Sequence, residues 1–213
     1  MMASNLIGKV FTVTGGASGM GAATARLLCQ RGAAAVCIGD YNDQNFSALE
    51  KELSGISSST KVKTTKLDVS SSSQVKSWIE SVVSAFGRLD GCANVAGVPQ
   101  VVGGRKKPTI LEETDETWRR TMSVNLDGIM YCTREEVRAM VGLPKKPRSI
   151  VNVASLASVL HTPDAYAYGA SKRACASLSS SITKDVLEFG IRVNTVSPSE
   201  YCIIWASLMA EPS

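Results

Sequence analysis

Short apolar runs alternate with longer amphipathic stretches from one end of the chain to the other. The runs are Val10–Thr14, Ala34–Asp40, Val62–Asp68, Gly91–Val95, Ser149–Ala154 and Ile191–Val196, each five to seven residues long and rich in Val and Ile. Apolar on both faces, they predict strands buried on both sides of a parallel sheet. Between them Val75, Trp78, Ile79, Val82, Val83 and Phe86 recur at helical steps. Met122, Leu126, Ile129, Met130, Thr133, Val137 and Met140 keep a similar rhythm, and so do Leu178, Ile182, Val186 and Phe189, with Gly190 as the stop. Strand and helix in alternation imply an α/β fold, a Rossmann-type doubly wound parallel sheet of six predicted strands with helices on both faces. The Ser-rich stretch Ser54–Thr60 is short enough for a loop, so residues 1–213 read as one domain.

Composition narrows the class. With 44% hydrophobic and 20% charged residues in 213, the chain has the apolar mass for a core and is not disordered. No run of about 20 apolar residues predicts a membrane span, and Met1 to Gly15 shows no secretory leader. Six cysteines sit far apart without a Cys-x-x-Cys pair or a Cys/His cluster. They read as reduced, cytoplasmic thiols serving as small hydrophobes, with no metal site. The net charge of +4 gathers in Arg105-Lys106-Lys107-Pro108 and Lys145-Lys146-Pro147-Arg148. Both read as solvated loops, since a nucleic-acid surface needs a longer stripe with aromatics interleaved.

The first strand runs straight into Thr14-Gly15-Gly16-Ala17-Ser18-Gly19-Met20-Gly21, and a helical stretch follows. Such a turn needs glycines for positive φ and for close approach of the backbone to a ligand. The helix opening there directs unpaired N–H groups and a positive dipole end at the turn, which suits a pyrophosphate. Asp40 ends the second strand 19 positions after Gly21, placed to accept hydrogen bonds from an adenosine ribose. Its carboxylate would repel a ribose 2′-phosphate, and no Lys or Arg occupies the turn or the next three positions. Charge therefore favours NAD over NADP.

Tyr168 and Lys172 stand four apart at the start of a helical stretch and share one face. A phenol of pKa about 10 has to move two to three units to act as a general acid/base at neutrality, roughly 3–4 kcal/mol. One cation about 4 Å away at an effective dielectric near 20 supplies roughly 4 kcal/mol. Ser155 lies just past the fifth strand, where an open α/β sheet places its ligand crevice, with a hydroxyl suited to holding a substrate oxygen. His161, the one histidine, reads as a loop residue with a local hydrogen bond, and Trp78 and Trp118 as packing residues.

These residues resemble the short-chain dehydrogenases/reductases in their common cytosolic form. The likeness rests on the glycine turn, Asn94-Val95-Ala96-Gly97, Asn125 in Ser-Val-Asn-Leu-Asp, and Ser155 with Tyr168-Gly-Ala-Ser-Lys172, in that order. It runs from Lys9 to about Pro198. It implies Tyr168 as acid/base, Ser155 positioning the reacting oxygen, and Lys172 lowering the Tyr pKa and binding the nicotinamide ribose. Asn125 would hold a water that relays protons from Lys172. Cofactor contacts are implied for Gly15, Ser18, Gly19, Met20, Gly21, Asp40, Asp68, Val69, Asn94, Ala96, Gly97, Tyr168 and Lys172. Val95 departs from the family, which usually has a second Asn there. A homodimer or homotetramer through the helices carrying Asn125 and Tyr168 is implied as well. The segments Pro108-Thr-Ile-Leu-Glu-Glu, Arg148-Ser-Ile-Val-Asn-Val-Ala-Ser155 and Thr162-Pro-Asp-Ala-Tyr-Ala-Tyr-Gly169 resemble fungal members acting in secondary metabolism, among them chanoclavine-I dehydrogenases.

The pattern breaks after Pro198. Ser199 replaces the family's Gly, Ile203 falls near its nicotinamide-contacting Thr, and residues 199–213 are not expected to supply the family's seventh strand and substrate-covering helix. The atypical tail, 198–213, fits a truncated product, a short-lidded variant or an inactive relative. Ile203-Ile204-Trp205 reads equally as a helical lid or a makeshift edge strand. Two functions follow: an NAD-dependent oxidoreductase moving hydride between nicotinamide and a small-molecule alcohol or carbonyl, or a non-catalytic NAD-binding or interaction protein.

Overall fold

The strands β1 (Val10–Thr14), β2 (Ala35–Asp40), β3 (Lys61–Lys66), β4 (Gly91–Asn94), β5 (Arg148–Val153) and β6 (Ile191–Val196) form one parallel sheet. The order is β3-β2-β1-β4-β5-β6. The structure is a computed structural model that describes residues 6–100 and 104–199. The tail positions Glu200–Ser213, with Ile203 and Trp205, lie outside the described residues.

Helices cover both faces. On one, α1 (Gly19–Gln30) and α2 (Phe46–Ile56) pack Ala25, Cys29, Leu49 and Leu53 against Val13, Val36 and Ile38. On the other, α3 (Ser72–Phe86), α5 (Gly128–Val141) and α6 (Tyr166–Val186) set Trp78, Val82, Cys132, Met140 and Val186 against Val10, Cys37, Cys92, Ile150 and Ile191. Full burial of a side chain such as Leu53 contributes about 1.5–3 kcal/mol. The ends of α3 follow local chemistry: the Ser71 hydroxyl accepts the Gln74 N–H, and Gly87 closes the helix in the left-handed region at φ 65°. The five described cysteines are all buried and unbridged.

Four expectations need correction. β3 and β6, the outer strands among the described residues, are not buried on both sides: β6 exposes Arg192, Asn194 and Val196, and β3 exposes Lys61, Lys63 and Lys66, charges that discourage edge-to-edge pairing. β3 ends at Lys66, which frees Leu67, Asp68 and Val69 to turn towards the C-terminal end of the sheet. The rhythm from Met122 to Met140 is not one α-helix either. α4 (Asp115–Met122) passes through a π turn, Ser123–Asp127, into α5, and the wider turn puts Asn125 at full burial. The two basic stretches are only partly solvated. Arg148 is 5% exposed and opens β5, giving Nε to Leu89 O (3.0 Å) and Nη2 to Pro144 O (2.8 Å), while Arg105 pairs with Glu113 at 2.8 Å. Trp78 packs in the core as expected, but Trp118 is 41% exposed on α4.

Candidate active site

The strand order reverses between β1 and β4, so the loops leaving their C-terminal ends part there and open a crevice. Thr14 and Asn94 stand side by side across that pair. The Thr14 hydroxyl accepts the Val95 N–H at 3.1 Å and the Ala96 N–H at 3.3 Å, which locks the two loops together. Their approach is close enough to demand glycine. Gly15 sits at φ 63°, and a Cβ on it would lie 2.7 Å from Ala96 Cα; a Cβ on Gly21 would lie 2.0 Å from Gly15 O.

The resulting cleft encloses about 540 Å³. One wall is the turn and the start of α1, with Gly15, Ser18, Gly19, Met20 and Gly21. Ser18 stands at the N-cap position without a side-chain cap bond, so the first-turn N–H groups stay available to a ligand. Asp40 lines the cleft beside them. Its Oδ2 accepts the Ala17 N–H and its Oδ1 the Asn42 N–H, both at 2.9 Å, which fixes the carboxylate against the glycine turn. Asp68, Val69, Ala96, Gly97 and Val124 complete the walls. Asp68 is held by Ser70, whose N–H and hydroxyl donate to its Oδ1 at 2.9 and 2.6 Å.

At the far end of the crevice α6 carries Tyr168 and Lys172. Lys172 is 4% exposed, and its Nζ donates to Val153 O at 2.9 Å, two residues before Ser155. Burial lowers its pKa from the ordinary lysine value. The ammonium lies 5.8 Å from the centre of the Tyr168 ring. The place a Cβ would take on Gly97 is 3.2 Å from Asn125 Oδ1 and 3.4 Å from Lys172 Nζ, so both polar atoms converge on that bare backbone. Asn125 is tied to the loop after β4: Oδ1 accepts the Val98 N–H (2.8 Å), and Nδ2 donates to Val98 O (3.0 Å) and Ser171 Oγ (3.3 Å). Ser155 ends β5's exit, its Oγ accepting the Ala157 N–H at 3.2 Å, and Arg173 Nε donates to Ser158 O at 2.9 Å, joining that turn to α6.

The profile of the short chain dehydrogenase family matches residues 9–201. The chain belongs to the short-chain dehydrogenase family. It is 53% identical over 190 residues to a chanoclavine-I dehydrogenase of Penicillium roqueforti and 54% identical over 190 residues to one of Aspergillus fumigatus. Both alignments cover 89% of this chain and 73% of the relative. Among solved structures, NAD⁺-bound xylitol dehydrogenase superposes with a TM-score of 0.84 at 28% identity, covering 92% of this chain and 72% of that one. As a member of this family the chain is an oxidoreductase acting with a nicotinamide cofactor on a small molecule, and nothing in fold or comparison favours the non-catalytic alternative.

The residues of this short-chain dehydrogenase fit such a cofactor. The glycine turn leaves a groove that side chains would fill, open N–H groups face it, and the cleft runs on towards Gly97. Of the residues singled out in the sequence, Asn94 stands apart. Its side chain turns into the core, where Nδ2 donates to Glu136 Oε2 and Asn152 Oδ1, each at 2.9 Å. His161 is exposed and borders a separate depression with Arg173. Sequence reasoning missed Glu136, which is fully buried with a pKa raised by desolvation to about 7. Its signal was available: Ile129, Thr133, Glu136 and Met140 share one stripe of α5.

The close approach at Gly21 makes one expectation direct. Gly21→Ala would press its methyl onto Gly15 O, a backbone atom, and widen the turn. Affinity for NAD should fall at least about tenfold, measured by calorimetric titration, with the far-ultraviolet dichroism retained. An unchanged dissociation constant would refute this account of the turn.

Proposed function

We propose that this chain oxidises chanoclavine-I, or an alcohol closely related to it, with NAD as acceptor, in fungal secondary metabolism. Tyr168 is assigned as the acid/base, Ser155 as the holder of the reacting oxygen, and Lys172 and Asn125 as their supports. The observation that carries the assignment is the bond from Lys172 Nζ to Val153 O, which draws the Tyr168–Lys172 face of α6 to the end of β5 beside Ser155. A nicotinamide held along this cleft would supply the acceptor for the hydride that leaves the carbinol carbon. The Ser155 hydroxyl, already accepting from Ala157, keeps its proton to donate to the substrate oxygen. Tyr168, as the phenolate beside the Lys172 ammonium, takes the alcohol proton and becomes the neutral phenol. Asn125, spent on Val98 and Ser171, keeps the loop after β4 beside Lys172.

The decisive assay mixes the purified protein with NAD and chanoclavine-I and follows the absorbance of the reduced cofactor. Turnover supports the reading; NAD binding with no turnover of chanoclavine-I or of a panel of related alcohols overturns it.

Preference for NAD over NADP rests on Asp40, whose fixed carboxylate faces the cleft. Arg120, exposed on α4, reaches the same cleft from a stretch outside the turn, and the sequence argument did not weigh it. Asp40→Asn removes the charge at nearly constant volume. The ratio of kcat/KM for NAD to that for NADP should fall about tenfold or more, in line with the loss of a like-charge contact of a few kcal/mol at most. A ratio unmoved by the substitution would show that the carboxylate does not select the cofactor.

A homodimer or homotetramer through α5 and α6 belongs to the same reading, as does a cytoplasmic location suited to core thiols kept reduced. Sedimentation velocity at micromolar concentration tests the first; a monomer there would refute it. Among the described residues no helix is long and apolar enough to cross a membrane.

A further inference from the structure

The loop between β4 and α4 reaches across to the start of α6 through three side chains. Gln100, 7% exposed, accepts the Tyr168 backbone N–H on Oε1 at 3.0 Å. Its Nε2 donates to Glu113 Oε2 at 2.6 Å, and the same oxygen accepts from Arg105 Nη1 at 2.8 Å. Glu113 is nearly buried, with only 8% of its side chain exposed. The amide of Gln100 has one workable orientation: a carboxylate offers acceptors only and a peptide N–H is a donor only, so Nε2 must face Glu113 and Oε1 must face Tyr168.

The bond falls where a helix most needs one. α6 begins at Tyr166, so the Tyr168 N–H belongs to the first turn and has no carbonyl partner within the helix. Ala165, at the N-cap position, has no side chain to supply one. Gln100 does so from another part of the chain. A second tie joins the same two segments, the Tyr166 hydroxyl lying 2.7 Å from Thr109 Oγ1. One turn further on, Lys172 is anchored independently to Val153 O. The two residues are therefore held from different sides, the lysine by its ammonium on the sheet and the tyrosine by its backbone N–H on the loop.

We propose that Gln100 is a positioning residue for Tyr168, oriented by Glu113 and Arg105, so that the loop after β4 fixes where the phenol stands relative to Lys172. This rests on Tyr168 being the acid/base. Gln100 does not line the cofactor cleft, so its loss should act on kcat and leave NAD affinity alone.

The test exploits the polarity of the chain of bonds. Gln100→Glu sets a second carboxylate against Glu113 and breaks it. The double variant Q100E/E113Q removes that repulsion: position 100 keeps an acceptor for the Tyr168 N–H and can accept from the amide at 113, while Arg105, which shared the Glu113 oxygen, can turn to the carboxylate now at 100. Two readouts are taken on NAD-dependent oxidation of chanoclavine-I and on protein labelled with ¹⁵N-tyrosine. We expect Q100E to lower kcat about tenfold, with the NAD dissociation constant within twofold of wild type, and to speed exchange of the Tyr168 amide proton at least tenfold. The double variant should return both towards wild type. Exchange at Tyr168 unaltered in Q100E would overturn the proposal, and so would faster exchange with kcat unchanged. Tyr168→Phe, run alongside, separates the two levels. Turnover surviving in that variant would overturn the acid/base assignment, and the positioning role with it, whereas its loss beside an indifferent Q100E would overturn the positioning role alone.

Discussion

Tyr168→Phe is expected to lower kcat by about 10³-fold while the NAD dissociation constant and KM stay within threefold of wild type. The substitution removes one oxygen and keeps the ring, so the contact with the Lys172 ammonium at 5.8 Å from the ring centre survives. The lysine itself is held by Val153 O and does not depend on the phenol. What disappears is the only group in this reading that takes the alcohol proton, and a thousandfold loss corresponds to about 4 kcal/mol in the barrier. A variant that loses NAD affinity in parallel with kcat would point instead to a disturbed cleft. Because burial lowers the Lys172 pKa, the cation is lost at less alkaline pH than on a surface lysine. The alkaline limb of kcat against pH should accordingly lie below the ordinary lysine value, and a limb above it would remove Lys172 from the mechanism.

How much of this was legible beforehand depends on whether a residue acts locally or across the fold. β1 stands where its apolar run puts it, because Val at the strand's two faces carries the signal within the strand; β6 keeps its expected bounds but buries one face only, with Arg192, Asn194 and Val196 exposed. The glycine turn was legible for the same reason, since positive φ and close approach are demands on consecutive residues. β3 was misread because Lys61, Lys63 and Lys66 alternate with Val62, Thr64 and Thr65, and nothing local says that the outer side lacks a neighbour. The π turn at Ser123–Asp127 adds one residue to a helical rhythm already tolerant of steps of three or four. Gln100, Glu113 and Arg105 were invisible for a deeper reason. Gln100 meets Tyr168 across 68 positions of sequence, and no spacing rule reaches that far. Glu135 and Glu136 are adjacent and both buried, yet Glu135 pairs with Arg134 and Arg138 while Glu136 accepts from the Asn94 amide, a difference of partners that the helical stripe does not give.

Glu136→Gln is expected to stabilise the protein at pH 8 by about 3 kcal/mol and to flatten its stability against pH. Glu136 is 0% exposed and lies on α5 against β4, with Asn94, Cys92 and Cys132 around it. Desolvation lifts its pKa to about 7 from the ordinary glutamate value of 4.5, with hydrogen bonds to Asn94 and Cys92 pulling the other way. Between those two values the folded state binds the proton more tightly than the unfolded one, so the slope of unfolding free energy against pH is negative. The contribution is fully present below about pH 4.5 and is lost as pH rises through 7. Two and a half units at about 1.36 kcal/mol each give the magnitude, an upper figure for one group. Glutamine is neutral throughout and keeps an oxygen for the Asn94 Nδ2 bond, so it removes the cost of ionising a buried acid without opening a cavity. Urea denaturation from pH 5 to 8.5 checks this: wild type should lose stability across that range relative to the variant, and the two curves should meet at the acid end. Parallel curves would mean that Glu136 ionises no differently in the folded chain. The same network bears on the site, since Asn94 immediately precedes Val95 and Ala96, whose amides bind Thr14 at the mouth of the cofactor cleft. Because burial raises the Glu136 pKa, its contribution to stability falls towards alkaline pH, where loss of the alcohol proton is easiest, and the glutamine variant separates the two dependences.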